Sequence, residues 1–375
     1  MAGIYLHIPF CKQACHYCDF HFSTSQRGRE DLLDAMLMEL KRRASELQGQ
    51  EVRTIYFGGG TPSLLSYDEL MRFFEDMYSL FTVDAQAEIT MEANPDDLTK
   101  AYLKLLKQSP INRLSVGVQS FREEDLLSMN RAHNKEQALS CIPNAADMGF
   151  ENISIDLIFG WPNLELHHWI KNVETAFSLP INHLSCYGLT VESKTALSWQ
   201  IVKGLIEVPD DEKAAQQYEY LLAEAEHLGF PWYEISNFGK LGFESKHNRA
   251  YWEGTPYLGI GPSAHSYDGE KRSWNVKSNG AYVAALQRGE REYEVEILTH
   301  KAKFHEFILT SLRMRKGISL STLRSSYGDG IAGQLLEAAQ PFVEKRWLIR
   351  DGNQLRLSQD GLLFADKITS ELFVI

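Results

Sequence analysis

The stretch "IYLHIPFCKQACHYCDF", residues 4–20, joins an apolar segment directly to a loop that holds three of the five cysteines in the chain. Its first five residues have the β-branched and aromatic character of a short strand. Cys11, Cys15 and Cys18 then follow at the spacing C-x3-C-x2-C, and Phe20 stands where a fourth thiolate would have completed the set. Three closely spaced thiolates in a short polar loop indicate iron-sulfur or zinc chemistry.

Two kinds of metal site are compatible with this cysteine loop. A structural zinc ion needs a fourth ligand, and His7, His16 or His21 lies near enough in the sequence to supply it. Structural zinc sites, however, usually take paired C-x2-C ligands from two separate places, and the chain has no second pair. A cluster held by three cysteines would instead leave one iron free for another ligand. We therefore predict an oxygen-labile [4Fe-4S] cluster on these cysteines.

Up to about residue 190, short apolar runs alternate with longer stretches of helical periodicity. Strand, helix and strand repeated about six times imply parallel pairing through right-handed crossovers. We therefore predict an α/β fold, a partial (β/α)6 TIM-like barrel, with its chemistry at the carboxyl ends of the strands. The cysteine loop follows the first strand and so lies on that face. The predicted strands are "IYLHI", "VRTIYFGG", "AEITME", "RLSVGV", "NISIDLIFG" and "HLSCYGL".

The alternation stops at about residue 205, which divides the chain into three predicted parts. Residues 1–205 form the barrel with the cluster. Residues 206–296 form a helix followed by a segment rich in Gly, Trp and Tyr, which we expect to be irregular over residues 230–275. Residues 297–375 contain helical patterns and a hairpin, which predict a smaller C-terminal domain of winged-helix-like type.

The composition excludes several classes of function. A formal net charge of −12 argues against binding to a nucleic-acid backbone, which requires an excess of lysine and arginine. No run of about 18 apolar residues is present, so we expect no membrane-spanning helix. The N-terminus lacks the basic region and the long apolar segment of a secretory signal. Because three of an odd number of cysteines are clustered, we expect a cytoplasmic protein whose thiols stay reduced.

The cysteine loop resembles the C-x3-C-x2-C signature of the radical S-adenosylmethionine superfamily. Six motifs in the same order, from "IYLHIPFC" to "IDLIFGWP", are similar to those of the oxygen-independent coproporphyrinogen III oxidases and their relatives. The resemblance implies that S-adenosylmethionine chelates the free iron of a [4Fe-4S] cluster. It also implies that one electron from the cluster can cleave this ligand to a 5'-deoxyadenosyl radical. The four motifs in between are "YFGGGTPSLL", "EANPDD", "RLSVGVQSF" and "NRAHN".

The residues at the predicted strand ends suit such a ligand. Gly58, Gly59 and Gly60 let a backbone approach a ligand closely, although alone they are also compatible with a tight turn. Glu92 and Asp156 close later strands, where a carboxylate can bind a cationic group or merely cap a helix. The resemblance implies S-adenosylmethionine contacts for Tyr5, Tyr17, Gly59, Gly60, Thr61, Glu92, Gln119, Arg131 and Asp156.

The chain departs from the oxidases themselves at two places. They carry a further cysteine at the position of Phe20, and they have an N-terminal extension ahead of the first strand, whereas here Cys11 is reached almost at once. In the oxidases the positions of Gln119, Arg131 and Asp156 belong to a second ligand pocket. The resemblance therefore leaves the role of these three residues open.

The stretch "KHNRAYWEG", residues 246–254, resembles the H-N-R-x-Y-W signature of the HemW heme chaperones, a branch of the same family. His247 offers an imidazole for heme iron, and Tyr251 and Trp252 offer flat faces for a porphyrin. The stretch is also compatible with a structural loop whose His and Trp are buried. Tyr251 and Cys141 are weaker candidates for the ligand of heme iron.

Three functions remain open from the sequence. The favoured one is a heme chaperone that binds heme and delivers it to an acceptor protein, for which the resemblance suggests a respiratory membrane protein. The alternatives are a coproporphyrinogen III oxidase, which decarboxylates propionate side chains, and a radical enzyme with an unidentified substrate. We expect no oxidase activity, because Phe20 and the short N-terminus depart from the oxidases.

Overall fold

A computed structural model describes all 375 residues, and one large sheet dominates it. Six strands pair in parallel in chain order, and the two end strands of the whole sheet do not pair with each other. The predicted α/β partial barrel is therefore confirmed. Its six parallel strands are β1 (Ala2–Ile8), β2 (Val52–Gly59), β3 (Val83–Ala93), β4 (Arg113–Gln119), β5 (Asn152–Phe159) and β6 (His183–Gly188).

The helices of the barrel are α1 (Arg29–Arg43), α2 (Tyr67–Leu80), α3 (Lys100–Leu106), α4 (Glu123–Ser128), α5 (Lys135–Asp147), α6 (Leu166–Ser178) and α7 (Ala196–Val202). Several of them begin at a residue whose side chain caps the helix. Ser66 opens α2 and Asn134 opens α5, each in a reciprocal capping box with the third helical residue. Thr99 and Thr195 cap α3 and α7 through their hydroxyls. Local sequence thus sets where these helices start.

The strands alternate between apolar and polar side chains, so the two faces of the sheet differ. Phe57 of β2 packs outward on Phe73 and Phe74 of α2, with ring centroids 6.1 and 5.5 Å apart. Its neighbour Tyr56 faces the barrel interior and stacks on Tyr5 of β1 at 6.1 Å. Polar residues at such alternate positions of β2 to β6 include Thr54, Tyr56, Glu88, Thr90, Glu92, Arg113, Ser115, Ser154, Asp156, His183 and Ser185. The interior of the barrel is therefore polar.

The segment 206–296 is part of the barrel, and the expectation that residues 230–275 are irregular is wrong. It contains α8 (Asp211–His227), β7 (Trp232–Glu234), β8 (Asn237–Gly239), α9 (Lys246–Trp252), β9 (Tyr257–Ile260), β10 (His265–Tyr267), β11 (Lys271–Asn275), α10 (Asn279–Gln287) and β12 (Tyr293–Ile297). β8 pairs with β6 and β9 pairs in parallel with β1, so the sheet has twelve strands and runs across residue 205. Strands of three to five residues are too short to show a clear pattern in the sequence.

The last part of the chain forms a small domain with the predicted helices and hairpin. Its elements are α11 (His300–Arg313), β13 (Ile318–Ser319), α12 (Leu320–Glu344), β14 (Leu348–Asp351), β15 (Gln354–Leu357) and α13 (Ala365–Glu371). β15 pairs with both β13 and β14, which gives the sheet and hairpin of a winged-helix-like domain. Gly328 interrupts α12 at a φ of 85°, so α12 consists of two helical segments. No helix of the molecule has the length and apolar character needed to cross a membrane.

Candidate cluster and ligand site

The cysteine loop between β1 and α1 is held by backbone hydrogen bonds. The Cys11 N–H donates to the carbonyl of Ser23 at 3.0 Å, which closes the loop on itself. The His16 N–H donates to the carbonyl of Met129 at 3.0 Å, and the His16 carbonyl accepts from the N–H of Leu197 at 2.8 Å. These contacts anchor the loop between the end of α4 and the start of α7.

Arg131 links the cysteine loop to the ends of β3 and β4. Its Nη1 donates to Cys15 Sγ and to the Tyr17 hydroxyl, both at 3.2 Å. Its Nη2 donates to Asn94 Oδ1 at 2.8 Å and to the carbonyl of Gly117 at 2.6 Å. Arg131 therefore ties the sulfur of Cys15 to the ends of both strands.

Cys11 and Cys18 are partly buried thiols of the cysteine loop. The Thr61 hydroxyl donates to Cys11 Sγ at 3.4 Å. Burial raises the pKa of the Cys11 thiol and raises that of Cys18 to about 12. Both thiols therefore have to lose a proton when they bind a metal, which makes metal binding depend on pH.

The three histidines near the cysteine loop make hydrogen bonds to other groups of the protein. The His16 ring bonds through Nδ1 to the carbonyl of Ser128 at 2.8 Å, and the His7 ring bonds through Nε2 to the carbonyl of His21 at 2.8 Å. The His21 ring bonds through Nε2 to Asn279 Oδ1 at 2.7 Å. No three His, Cys, Asp or Glu side chains are arranged to hold a single metal ion. Three thiolates without a fourth protein ligand fit a cluster with one open iron better than structural zinc.

A cavity of about 460 Å³, which we call the cluster cavity, opens beside the cysteine loop. It lies at the carboxyl ends of the strands, as expected for an α/β barrel. The predicted residues that line it are Cys11, Cys15, Cys18, Tyr17, Gly59, Gly60, Thr61, Glu92, Gln119, Arg131 and Asp156. Tyr5 does not line it, and its hydroxyl bonds to His7 Nδ1 at 3.1 Å. The structure therefore brings together all but one of the residues predicted for the cluster and S-adenosylmethionine.

Because Gly59 and Gly60 have no side chains, the end of β2 can lie close to β1 and to the start of the cysteine loop. A Cβ at Gly60 would lie 2.8 Å from the carbonyl oxygens of Ile8 and Phe10, and one at Gly59 would lie 2.7 Å from the His7 ring. Gly59 also has a φ of 106°, in the region that favours glycine. Packing of the protein against itself therefore requires both glycines, and no side chain projects into the cluster cavity from these two positions.

Gln119 and Asp156 form the part of the cluster cavity that lies over β4 and β5. Gln119 has a φ of 68°, which non-glycine residues rarely adopt. Such backbone strain costs about 1–3 kcal/mol and is concentrated at functional sites. Asp156 Oδ1 accepts from the Ser115 hydroxyl at 3.2 Å, and burial raises the pKa of this carboxyl.

Glu92 is a buried carboxyl group on the wall of the cluster cavity. Its Oε1 accepts from the Tyr56 hydroxyl at 2.8 Å, and its Oε2 accepts from the N–H of Gly59 at 3.1 Å. Burial raises the pKa of Glu92 to about 7, the nearby Asp156 adds to the rise, and the two hydrogen bonds oppose it. A cationic group bound beside Glu92 would favour the ionised form.

The raised pKa of Glu92 predicts a pH-dependent stability of the metal-free protein. The carboxyl titrates near its ordinary 4.5 when unfolded and at about 7 when folded, so between these values the folded state holds an extra proton. The free energy of unfolding should therefore fall as the pH rises through this window, by up to about 3 kcal/mol. The free energy of unfolding is measured with denaturant at several pH values. In Glu92→Gln it should not show this fall with pH, whereas Glu151→Gln, a substitution at an exposed position, should still show it. The same dependence of the free energy of unfolding on pH in both variants would disprove the role of Glu92.

His247 lies in the first turn of α9, against the inner face of the barrel. Its ring bonds through Nδ1 to Thr54 Oγ1 at 2.8 Å and through Nε2 to the Tyr251 hydroxyl at 2.9 Å. It stacks on Tyr56 at 4.8 Å and is 2% exposed. The His247 N–H donates to Glu88 at 3.0 Å, and burial lowers the pKa of the imidazole to about 3. Both ring nitrogens are occupied, so ligation of iron by His247 requires the Tyr251 hydroxyl to move away.

Tyr251 and Trp252 lie at the other end of α9, on the wall of a second and larger cavity. Tyr251 packs edge-on against Tyr257 at 4.6 Å, and the Arg313 guanidinium lies 4.5 Å above the Trp252 ring. The predicted heme motif thus presents two aromatic side chains to this cavity, while its imidazole faces the barrel interior.

Two family models match the chain: the Radical SAM superfamily at residues 5–176 and the HemN C-terminal domain at residues 298–364. The heme chaperone HemW of Bacillus subtilis (strain 168) is 34% identical over 371 residues, which cover 98% of each chain. The chain belongs to the HemW family. The heme chaperone HemW of Mycobacterium tuberculosis (strain ATCC 25618 / H37Rv) is also 34% identical, over 99% of this chain and 94% of the relative.

The solved structure of coproporphyrinogen III oxidase (HemN) from Escherichia coli, a radical SAM enzyme, shares the architecture. It matches this HemW-family chain with a TM-score of 0.86, over 100% of this chain and 90% of the oxidase, at 22% sequence identity. At this identity the likeness shows the fold alone. The partial barrel with its C-terminal domain is therefore common to the HemW family and HemN.

The motifs of this member of the HemW family contain further polar residues of the barrel interior, for which the family resemblance implies no role. The Tyr56 hydroxyl donates a hydrogen bond to Glu92, and the Ser115 hydroxyl donates one to Asp156. Arg113 is 1% exposed, and its Nε and Nη1 have no hydrogen-bond partner. These residues lie at alternate positions of apolar strands, and that alternation is the sequence signal that identifies them.

Proposed function

We propose that the protein is a heme chaperone that binds heme, passes it to an acceptor protein, and carries a [4Fe-4S] cluster with S-adenosylmethionine. The observation that carries the proposal is the similarity to the heme chaperone HemW, at 34% identity across 98% of both chains. The fold alone does not distinguish a chaperone from an oxidase, because HemN shares it. Phe20, at the position of a cysteine in the oxidases, supports the chaperone.

Cys11, Cys15 and Cys18 are the proposed ligands of the cluster, which supplies one-electron reducing chemistry when bound. The protein prepares the site with its own groups. Arg131 Nη1 donates to Cys15 Sγ at 3.2 Å, which fixes the position of this proposed ligand. Phe20 is 69% exposed next to the third cysteine, so this position adds no fourth sulfur ligand.

The rest of the cluster cavity is the proposed site of S-adenosylmethionine. Glu92, which is largely protonated below about pH 7, loses its proton when a cationic amino group binds beside it. Gly59 and Gly60 leave room for the ligand on the same wall. Gln119 and Asp156 offer polar groups for its hydroxyls. In this arrangement Tyr5 acts indirectly. It stacks on the ring of Tyr56, and the Tyr56 hydroxyl donates to Glu92.

The proposed acceptor is a heme-requiring protein, and the family resemblance suggests a respiratory membrane protein. We place the transfer in the cytoplasm. All five cysteines are free thiols, which a reducing compartment favours. The net charge of −12 makes nucleic acid an unsuitable partner.

An anaerobic assay of one preparation distinguishes the chaperone from the oxidase. The reconstituted protein is incubated with coproporphyrinogen III, S-adenosylmethionine and a reductant, and the pigments are then oxidised and separated by chromatography. We expect the porphyrin to keep all of its propionate side chains, whereas an oxygen-independent oxidase assayed in parallel removes two as carbon dioxide. Repeated turnover to protoporphyrin by this protein would refute the chaperone proposal in favour of the oxidase.

A further inference from the structure

A cavity of about 1390 Å³, which we call the interdomain cavity, lies between the mouth of the barrel and the C-terminal domain. Its walls come from the cysteine loop, α9, β10, β11, α11 and α12. Among the residues that line it, only Asp19 and Phe20 also line the cluster cavity. Its volume exceeds the roughly 300–1,000 Å³ of ordinary ligand pockets. None of the cluster cysteines, and none of the residues proposed to contact S-adenosylmethionine directly, lines this cavity.

Aromatic side chains on two sides of the interdomain cavity suit a large planar ligand. Tyr257 packs against Tyr251 at 4.6 Å and against Tyr267 at 6.4 Å on the barrel side. Phe307 and Tyr327 pair at 5.7 Å on the side of the C-terminal domain. Rings on two sides of one space provide the apolar contact that a porphyrin needs.

His265 is the histidine of the interdomain cavity that has both ring nitrogens free. The His7 ring is bonded at both nitrogens, to the Tyr5 hydroxyl and to a backbone carbonyl, and His21 is bonded through Nε2. The His265 side chain lines this cavity, makes no hydrogen bond, and stacks on Trp274 at 5.6 Å. An imidazole held by stacking alone can turn a nitrogen toward a metal without breaking any hydrogen bond.

A buried polar network fixes the chain on both sides of His265, the first residue of β10. The Gly261 N–H donates to Glu39 Oε2 at 2.9 Å, and Arg43 Nη2 donates to the Ser266 hydroxyl at 2.9 Å. Glu39 and Arg43 are 1% and 4% exposed, and their charged atoms lie 2.9 Å apart. The imidazole therefore stands on a rigid support, as a preorganised ligand site requires.

Two cations face the same part of the interdomain cavity. Lys277 is exposed and has no ion-pair partner, whereas Arg272 is paired with Glu306 at 3.1 Å. Burial lowers the pKa of His265, and the positive charges of Lys277 and Arg272 lower it further, which keeps the imidazole neutral and able to bind iron. The carboxylates of a heme are the natural partners for two such cations.

We propose that heme binds in the interdomain cavity, with His265 as an axial ligand of its iron and with Lys277 and Arg272 facing its propionates. This assignment rests on the proposed heme-chaperone function and specifies its site. Tyr251 then contributes a wall to the porphyrin site, while His247 keeps its hydrogen bonds inside the barrel. The exposed Phe20 lies between heme and the cluster cavity.

Anaerobic titration with hemin, followed by the Soret absorbance, tests this site. We expect the wild type to bind one heme per chain with a saturable Soret shift. His265→Ala should weaken binding at least tenfold and move the Soret band, and added imidazole should restore the wild-type band. His227→Ala, a matched substitution at an exposed position in the last turn of α8, should change neither. Circular dichroism of each variant verifies that it is folded.

Two further variants distinguish His265 from His247 as the ligand and test the contact of Lys277 with the propionates. His247→Gln, which can keep hydrogen bonds inside the barrel, should retain the wild-type Soret band. Lys277→Glu should weaken heme binding severalfold but leave binding of the heme dimethyl ester, which lacks the propionate charges, unchanged. Wild-type affinity and Soret band in His265→Ala would overturn the site and leave the heme-chaperone function standing. A wild type without saturable heme binding would overturn both.

Discussion

Replacement of any one of Cys11, Cys15 and Cys18 by alanine is expected to abolish the iron-sulfur cluster. After anaerobic reconstitution the wild type should contain about four irons and four sulfides per chain and show a brown chromophore. Each variant should contain close to none, because no histidine and no fourth cysteine lines the cluster cavity to replace the lost ligand. Iron and sulfide analysis together with visible absorbance measures the loss.

Cys141→Ala is the matched control for the cluster variants. Cys141 is 2% exposed within α5, and its thiol donates to the carbonyl of Ala138 at 3.4 Å. Its removal changes core packing without touching the cluster cavity, so this variant should keep four irons and four sulfides. A variant that lacks all three loop cysteines and still binds that amount of iron and sulfide would show that the ligands lie elsewhere.

The cluster cavity was predictable from the sequence because parallel strands place their carboxyl ends at one edge of a sheet. Gly59, Glu92 and Gln119 come from three different strands, yet each lies at or next to a strand end, and so they meet. The family resemblance implies an S-adenosylmethionine contact for Tyr5 as well, but Tyr5 does not line this cavity. It lies before the last residues of β1, at the level of Tyr56 in the barrel interior.

The position of His247 was not predictable, because distant contacts determine it. The first turn of α9 is fixed by Glu88, which is 159 positions away in the sequence, and by the Thr54 hydroxyl of β2. A short motif reveals neither contact. The same reasoning applies to His265, which becomes a candidate ligand only when the buried pair of Glu39 and Arg43 fixes the chain on both sides of it.

The alternation of polar and apolar residues in the strands is a sequence signal for the polar interior of the barrel. On β2 the polar Thr54 and Tyr56 alternate with the apolar Ile55 and Phe57. Strands buried on both faces of a parallel sheet are usually apolar throughout. Alternation in such strands therefore predicts a polar lumen, and Arg113 on β4 is a member of it.

Heme and S-adenosylmethionine are proposed to occupy different cavities of the same chain, and simultaneous loading tests this most directly. The protein with its reconstituted, reduced cluster and saturating S-adenosylmethionine is titrated anaerobically with heme. Soret absorbance, iron and sulfide content and the electron paramagnetic resonance signal of the cluster are followed together. We predict one heme per chain, an unchanged cluster content, and the same spectral response of the cluster to S-adenosylmethionine with and without heme. Loss of the cluster or of that response as heme binds, or the absence of saturable heme binding, would contradict a heme carrier with two separate sites.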